Sequence, residues 1–286
     1  MRPVLVGNVM DTAAKRAAFR RLHDTGCFVI PNPWDTGSAM MLKHLGFKAL
    51  ATTSSGFSFS RGLPDMDWAV PRDMALEHIA EIVRATDLPV NADYESGYAH
   101  EPQDVAENVR LCAETGVAGL SIEDNTGDPA KPLYDFDLAV ERVAAAVAAL
   151  KGTGVLLTAR SEAHLVGYPN AQAEAVKRLK AFAAVGADVL YAPGLRKADD
   201  IREVVEAARP KPVNLLISGP IGITVADAEA LGVRRISVGS ALARAAWGGF
   251  LKAAREIAGP GTFNALGEGE PFGALNTFFR EHGAKS

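Results

Sequence analysis

An eight-stranded β/α barrel of the TIM type is the fold class that the sequence predicts, on three observations. Short β-branched or apolar runs alternate along the chain with amphipathic, alanine-rich segments. The return from helix to strand is repeatedly marked by glycine, as in Leu45-Gly46-Phe47, Thr115-Gly116-Val117, Val185-Gly186-Ala187 and Leu231-Gly232-Val233, because glycine adopts the positive φ that closes a helix. The first strand-to-helix turn reads Asn32-Pro33-Trp34-Asp35-Thr36-Gly37, which is not the G-x-G-x-x-G of a doubly wound dinucleotide-binding sheet.

Taken in order, a helix over 12–22 precedes the first strand, 27–31. Helix 36–45 follows Asp35, a good N-cap, and ends at Gly46 before strand 48–52. Pro71 opens helix 71–85, a residue suited to a first helical turn, and strand 89–93 follows. Helix 102–115 likewise opens at a proline and leads to strand 118–123. Helix 137–150 starts at Asp137 and precedes strand 155–160, and helix 170–185 starts at Asn170 and precedes strand 188–191. Helix 197–208, strand 212–217, helix 224–231 and strand 235–238 complete eight units. Residues 1–286 read as one barrel domain, with 241–286 as a C-terminal helical extension: a helix over 241–258, a break at Gly259-Pro260-Gly261, and a last amphipathic segment over 273–282. That segment needs somewhere to bury Leu275, Phe278 and Phe279, and a neighbouring subunit is the expected place.

Composition excludes several function classes. A chain of 286 residues that is 48% hydrophobic can bury a large core, and its net charge of -4 offers no basic surface for nucleic acid. Cys27 and Cys112 stand far apart with no C-x-x-C spacing, so neither a disulfide framework nor a zinc site is expected. No apolar run reaches the roughly 18 residues of a bilayer span, and residues 1–10 lack the long apolar core of a signal peptide. A cytoplasmic protein without membrane partners is the expectation.

Sites in β/α barrels form where strands end, so the residues after each strand carry the functional reading. After the second strand come Thr53-Ser54-Ser55-Gly56; after the third, Asp93-Tyr94-Glu95-Ser96-Gly97; after the fourth, Glu123-Asp124-Asn125; after the fifth, Arg160-Ser161-Glu162. Asp93 and Glu95, at i and i+2 beyond a strand, suit Mg2+, which takes one or two carboxylates and keeps several waters. Individually each motif has a structural explanation as a turn, a cap or a surface ion pair. Three acids and one arginine converging on one barrel mouth would be costly without a cation and an anionic ligand to balance them.

These motifs, together with Pro31-Asn32-Pro33-Trp34-Asp35, Ser121-Ile122-Glu123-Asp124, Thr158-Ala159-Arg160-Ser161-Glu162 and Ser237-Val238-Gly239-Ser240, resemble the isocitrate lyase/phosphoenolpyruvate mutase superfamily over most of the chain. The resemblance implies a barrel that binds Mg2+, with Mn2+ as the alternative ion, and a small α-oxo or 2-hydroxy carboxylate. It also implies a dimer of dimers with C-terminal helices exchanged between subunits. Asp93 resembles the direct metal ligand, and Glu95 and Glu123 resemble acids that hold metal-bound waters. Ser55 and Gly56 resemble the turn that receives the substrate carboxylate, with Phe57 and Trp34 beside it, and Arg160 resembles the cation that grips the substrate's oxygens. Asp65 resembles a further acid of the metal's water shell, with Asp67 as its rival.

Where the superfamily's lyases carry a cysteine after the fourth strand, this chain reads Asn125-Thr126-Gly127-Asp128-Pro129-Ala130-Lys131-Pro132-Leu133-Tyr134. Isocitrate and methylisocitrate cleavage are therefore not expected. After the sixth strand Ala192-Pro193-Gly194 replaces the mutases' histidine, which weighs against phosphonate rearrangement. The expectation is Mg2+-dependent cleavage of a C–C bond through an enolate, as in an oxaloacetate-type decarboxylase or related lyase, with Lys131 or Tyr134 to protonate the enolate or gate the site. A phosphonopyruvate-type mutase or hydrolase and a non-catalytic oxo-acid-binding protein are the alternatives.

Overall fold

A computed structural model describes residues 11–65 and 68–283; Asp67 and the N-terminal ten residues lie outside them. The chain forms eight parallel strands, β1 (Phe28–Ile30), β2 (Leu50–Ala51), β3 (Val90–Asp93), β4 (Gly119–Glu123), β5 (Leu156–Arg160), β6 (Val189–Tyr191), β7 (Val213–Leu216) and β8 (Arg235–Ser237). Each lies within its predicted segment. The strands pair in chain order from β2 to β8, and β8 returns to β1. The seam between β1 and β2 is bridged by Ala51 N donating to Pro31 O at 3.0 Å. Asn32 reinforces it: its Nδ2 donates to Thr52 O, and its Oδ1 accepts from Val238 N and Gly239 N.

Helices alternate with the strands as α1 (Thr12–Arg21), α2 (Thr36–His44), α3 (Ser54–Ser60), α4 (Arg72–Ala85), α5 (Pro102–Glu114), α6 (Phe136–Leu150), α7 (Ala171–Ala184), α8 (Ala198–Ala208), α9 (Val225–Ala230), α10 (Ala241–Ala258) and α11 (Phe272–His282). The four glycines read as helix stops have φ between 90° and 107°, the region where a side chain would be strained. Asp35 caps α2 in a reciprocal box with Ser38.

One element departs from expectation. Thr53-Ser54-Ser55-Gly56 is the first turn of α3 rather than an open turn, because Thr53 Oγ1 accepts from Gly56 N at 3.2 Å and Phe57 is buried with Val70 and Ala75. Capping and burial override the weak helix propensity of serine and glycine.

The core lies between barrel and helices, where Leu120, Ile122, Leu157, Leu190, Leu215 and Ile236 meet Val109, Val143, Leu179 and Phe182. Inside the barrel the character changes along the axis. Phe19 of α1 plugs the N-terminal end against Ile30, Ala51, Ala118 and Leu156. Gly119 makes room for it, since a Cβ there would lie 2.7 Å from Phe19 Cε1 and from Asn91 Oδ1. Above the plug the interior is polar, with Asn91, Ser121, Thr158, Asn214, Arg235 and Ser237 all buried.

Beyond the barrel, α11 is anchored by Phe278, which packs on His44 of α2 and on His282. Trp247, Phe250, Phe263, Leu266, Phe272 and Phe279 remain exposed. Cys27 and Cys112 are free thiols. Among the described residues no helix is long and apolar enough to cross a membrane.

Candidate active site

A cavity of about 590 Å3 opens at the C-terminal ends of the strands. Arg160, the last residue of β5, stands at its centre. Its Nη1 lies 2.9 Å from Asp93 Oδ1 and 3.0 Å from Glu123 Oε1, and its Nε donates to Glu162 Oε1 at 2.9 Å. The guanidinium carbon sits 4.9 Å from the centre of the Tyr191 ring. Nη2 has no hydrogen bond or ion pair among the described residues, so one edge of the fork remains for a ligand.

Each acid is fixed by its surroundings. Asp93 Oδ2 accepts from Ser54 N at 3.1 Å and from Ser54 Oγ at 3.2 Å, which ties β3 to the start of α3. Glu95 occupies the left-handed region at φ 43°, followed by Gly97 at 80° and Tyr98 at 53°; for non-glycine residues this conformation persists only where surrounding contacts impose it. Those contacts are present. Tyr98 Oη donates to Glu95 Oε1, and Glu123 N donates to Glu95 O. Arg142 of α6, 1% exposed, donates to the carbonyls of Ser96, Ala99 and His100. Behind Glu162, Asp124 accepts from its backbone N at 2.8 Å and from Arg178 Nη1 at 3.1 Å.

The mouth carries an excess of negative charge. Asp65, Asp93, Glu95, Glu123 and Glu162 all line the cavity around Arg160. Burial, reinforced by Asp65 and Asp93, raises Glu95 to about 7 despite the Tyr98 hydrogen bond. Burial also raises Glu162 to about 7, although Arg160 opposes the shift, and Glu123 is raised well above the ordinary carboxylate range by burial. Burial works against the charge on Arg160, but Glu123, Glu162 and Asp93 outweigh it and hold the guanidinium protonated.

Among the described residues no group of three or more His, Cys, Asp and Glu is preassembled as a metal cage. The donor set nonetheless fits Mg2+, which needs only one or two carboxylates and retains its waters. A cluster of buried hard-oxygen acids whose proton affinity is raised is the environment that a divalent cation would relieve.

The structure brings together Asp65, Asp93, Glu95, Glu123, Arg160 and Ser55 in one cavity. It places the others elsewhere. Gly56 directs its N–H to the Thr53 cap. Phe57 turns away from the cavity and stacks on His78, with ring centres 3.7 Å apart. Trp34 is not in the lining, and its Cβ would lie 3.2 Å from a Cβ placed on Gly56. Lys131 is exposed and paired with Asp135 at 2.6 Å. Tyr134 is buried, its hydroxyl 2.7 Å from His100 Nδ1, so it stands as a fixed wall of the loop. Ser54 and Glu162, present in the strand-end motifs but given no role there, and Asn214 and Arg235, which no motif included, also line the cavity; the alternation that puts Arg235 in phase with Ser237 on β8 was the available signal for the last of them.

The family model described as phosphoenolpyruvate phosphomutase matches residues 19–258. The chain belongs to that family. This places it in the isocitrate lyase/phosphoenolpyruvate mutase superfamily, whose barrel the eight strands reproduce. The oxaloacetate decarboxylase of Paraburkholderia xenovorans LB400 is 30% identical over 241 residues, 82% of this chain and 78% of that protein. A crystal structure from Burkholderia cenocepacia J2315, provisionally described as a lyase/mutase, is 46% identical with a TM-score of 0.89, covering 96% of this chain and 98% of that one. An oxaloacetate acetylhydrolase in complex with its product oxalate is 27% identical with a TM-score of 0.83, covering 96% of each chain.

Proposed function

We propose that the protein is a Mg2+-dependent enzyme that cleaves a C–C bond of a small α-oxo or 2-hydroxy carboxylate through an enolate, with oxaloacetate or a related oxo acid as substrate. The observation that carries this reading is Arg160, held by Asp93, Glu123 and Glu162 with Nη2 left for substrate oxygens. The relatives that act on oxaloacetate support it. Asp93, Glu95 and Glu123 would hold the ion, with Asp65 beside them. When bound, Mg2+ or Mn2+ supplies Lewis-acid polarisation of the substrate's oxygens. As the C–C bond beyond the oxo group breaks, its electron pair moves toward the oxo oxygen and the departing fragment leaves without it, as CO2 or a carbonyl compound. In a 2-hydroxy acid the hydroxyl gives up its proton and the pair passes to the carboxylate of the departing fragment. Arg160 and the Ser55 hydroxyl at the cavity wall are placed to offset that developing charge. Glu162, raised to about 7 by burial and outside the set that would hold the ion, is the group able to carry a proton at neutral pH and return it to carbon.

The test is turnover by the purified protein with Mg2+ against a metal-only control, across oxaloacetate and related oxo and 2-hydroxy acids. Oxaloacetate or a related oxo acid is expected to be consumed well above the control, and chelation is expected to abolish the excess. Binding without turnover anywhere on the panel would favour a non-catalytic sensor, and conversion of phosphonopyruvate, followed by phosphorus NMR, would favour phosphonate chemistry.

Metal binding has a readout separate from activity. Glu95 and Glu162 titrate near 7 in the folded protein, above the ~4.3 of an unfolded glutamate. The folded state therefore holds more protons across that window, and stability falls as pH rises from about 4 to about 7. A divalent cation offsets the ionised cluster, so Mg2+ is expected to raise Tm by a few degrees more at pH 8 than at pH 5. His23 and His78, depressed by burial to about 3 and 4, act in the opposite sense, and only below about 6.5; they shift the melts with and without Mg2+ alike, so the difference between the increments is unaffected. Equal increments at both pH values would argue against metal at these acids.

The exposed apolar faces of α10 and α11 support assembly into a dimer of dimers through the C-terminal helices. Phe250 on α10, 58% exposed, and Phe272 on α11, 83% exposed, are large aromatic side chains left open to solvent, as expected of helices that pack against another subunit. Light scattering is expected to return a four-chain particle, and a monomer at micromolar concentration would refute the assembly.

A further inference from the structure

Below Arg160 the cavity reaches a second guanidinium. Arg235, at the start of β8, is 3% exposed and lines the same cavity. Its Nε donates to Asn214 Oδ1 at 2.7 Å, its Nη2 donates to Thr158 Oγ1 at 3.0 Å, and its Nη1 lies 3.5 Å from His23 Nε2. All three partners are neutral, since burial keeps the His23 imidazole uncharged down to about 3. Among the described residues no carboxylate forms an ion pair with Arg235. A guanidinium has five N–H donors, and these contacts engage three of them. An isolated buried cation is expensive unless something pairs with it, and an apolar residue would have filled the barrel at lower cost.

Position along the axis adds the second argument. Thr158, which Arg235 touches, lies two residues before Arg160 on β5, so both face inward one layer apart, about 6.6 Å along a strand. Ser237 Oγ accepts from Asn214 Nδ2 at 2.9 Å, continuing the polar wall between the two layers.

We propose that Arg235, with Asn214 and Ser237, forms an anion subsite at the floor of the cavity that receives the distal carboxylate of a short dicarboxylic substrate. The proposal rests on the reading that the substrate's oxo-acid head sits at Arg160. It makes Arg235 a specificity-determining residue: the head groups are recognised at the mouth, and the second carboxylate selects diacids over monoacids.

The test is calorimetric binding to the full chain with Mg2+, using acids matched in length: 2-oxoglutarate against 2-oxopentanoate, and glutarate against pentanoate. The wild type is expected to prefer the diacid by about tenfold or more in each pair, the scale of one hydrogen bond to a charged group. Arg235→Gln, which keeps a polar side chain toward Asn214 and Thr158, is expected to lose most of that preference, and Arg235→Lys to retain most of it. Circular dichroism checks that both variants are folded. Equal affinities within each pair for the wild type, or an unchanged preference in Arg235→Gln, would overturn the subsite. A preference for glutarate over pentanoate without any gain from the 2-oxo group would uphold the subsite while overturning the reading of the head site.

Discussion

Asp93→Ala is expected to abolish the turnover attributable to the protein, bringing the rate down to that of free Mg2+, a loss of at least about 10²–10³-fold. Asp93 joins Arg160 Nη1 to Ser54 N and Ser54 Oγ, and in the proposed reading it is the direct metal ligand. The same substitution removes one negative charge from a cluster with too many, and Arg160 keeps Glu123 and Glu162 as partners. Asp93 and Arg160 are both mostly buried and Ser54 N loses its acceptor, so a stability loss of about 1–3 kcal/mol is expected, small beside the loss of turnover. A substrate-depletion assay beside a thermal melt separates the two effects. Wild-type turnover in a well-folded Asp93→Ala protein would remove the metal-centred account of the site.

Arg142→Ala is expected to have the largest effect on stability. The guanidinium sits 3.9 Å from the centre of the Tyr134 ring and serves the carbonyls of Ser96, Ala99 and His100. Truncation would leave three carbonyls without a donor and open a hole beside Tyr134. Each unsatisfied buried group costs about 1–3 kcal/mol, so a loss of at least about 3 kcal/mol follows, or a Tm lower by roughly 10 °C at this chain length. Because those carbonyls belong to the segment that holds Glu95 at positive φ, the Mg2+ requirement is expected to rise in parallel. A variant that melts and binds Mg2+ like the wild type would show that this loop holds itself.

The fold was legible because each strand and helix carries its own period, and glycines mark the transitions. The start of α3 was not: a serine-rich run has no periodicity, and burial of Phe57 decided it. The same lack of period hid the direction of the Phe57 ring. Asp93, Glu123 and Arg160 could be read because each closes a strand, where chain direction fixes the face. Arg142 and Arg178 could not, since a charged residue within a helix ordinarily reads as solvated, and only tertiary packing turns these two inward. Arg235 could have been found from its phase with Ser237, both being inward on β8 around the outward Ile236.

The thin closure between the first and second strands has a dynamic consequence. β2 is two residues long and meets β1 through the Ala51 bond and the Asn32 side chain, whereas β4 and β5 pair over five residues. Thermal breathing will therefore begin at that seam, with amides there exchanging with solvent hydrogen sooner than those of the fourth and fifth strands. Ser54 and Ser55 ride on the mobile side and Glu123 and Arg160 on the stiff side, so one wall can yield to an incoming molecule while the charged wall keeps its shape.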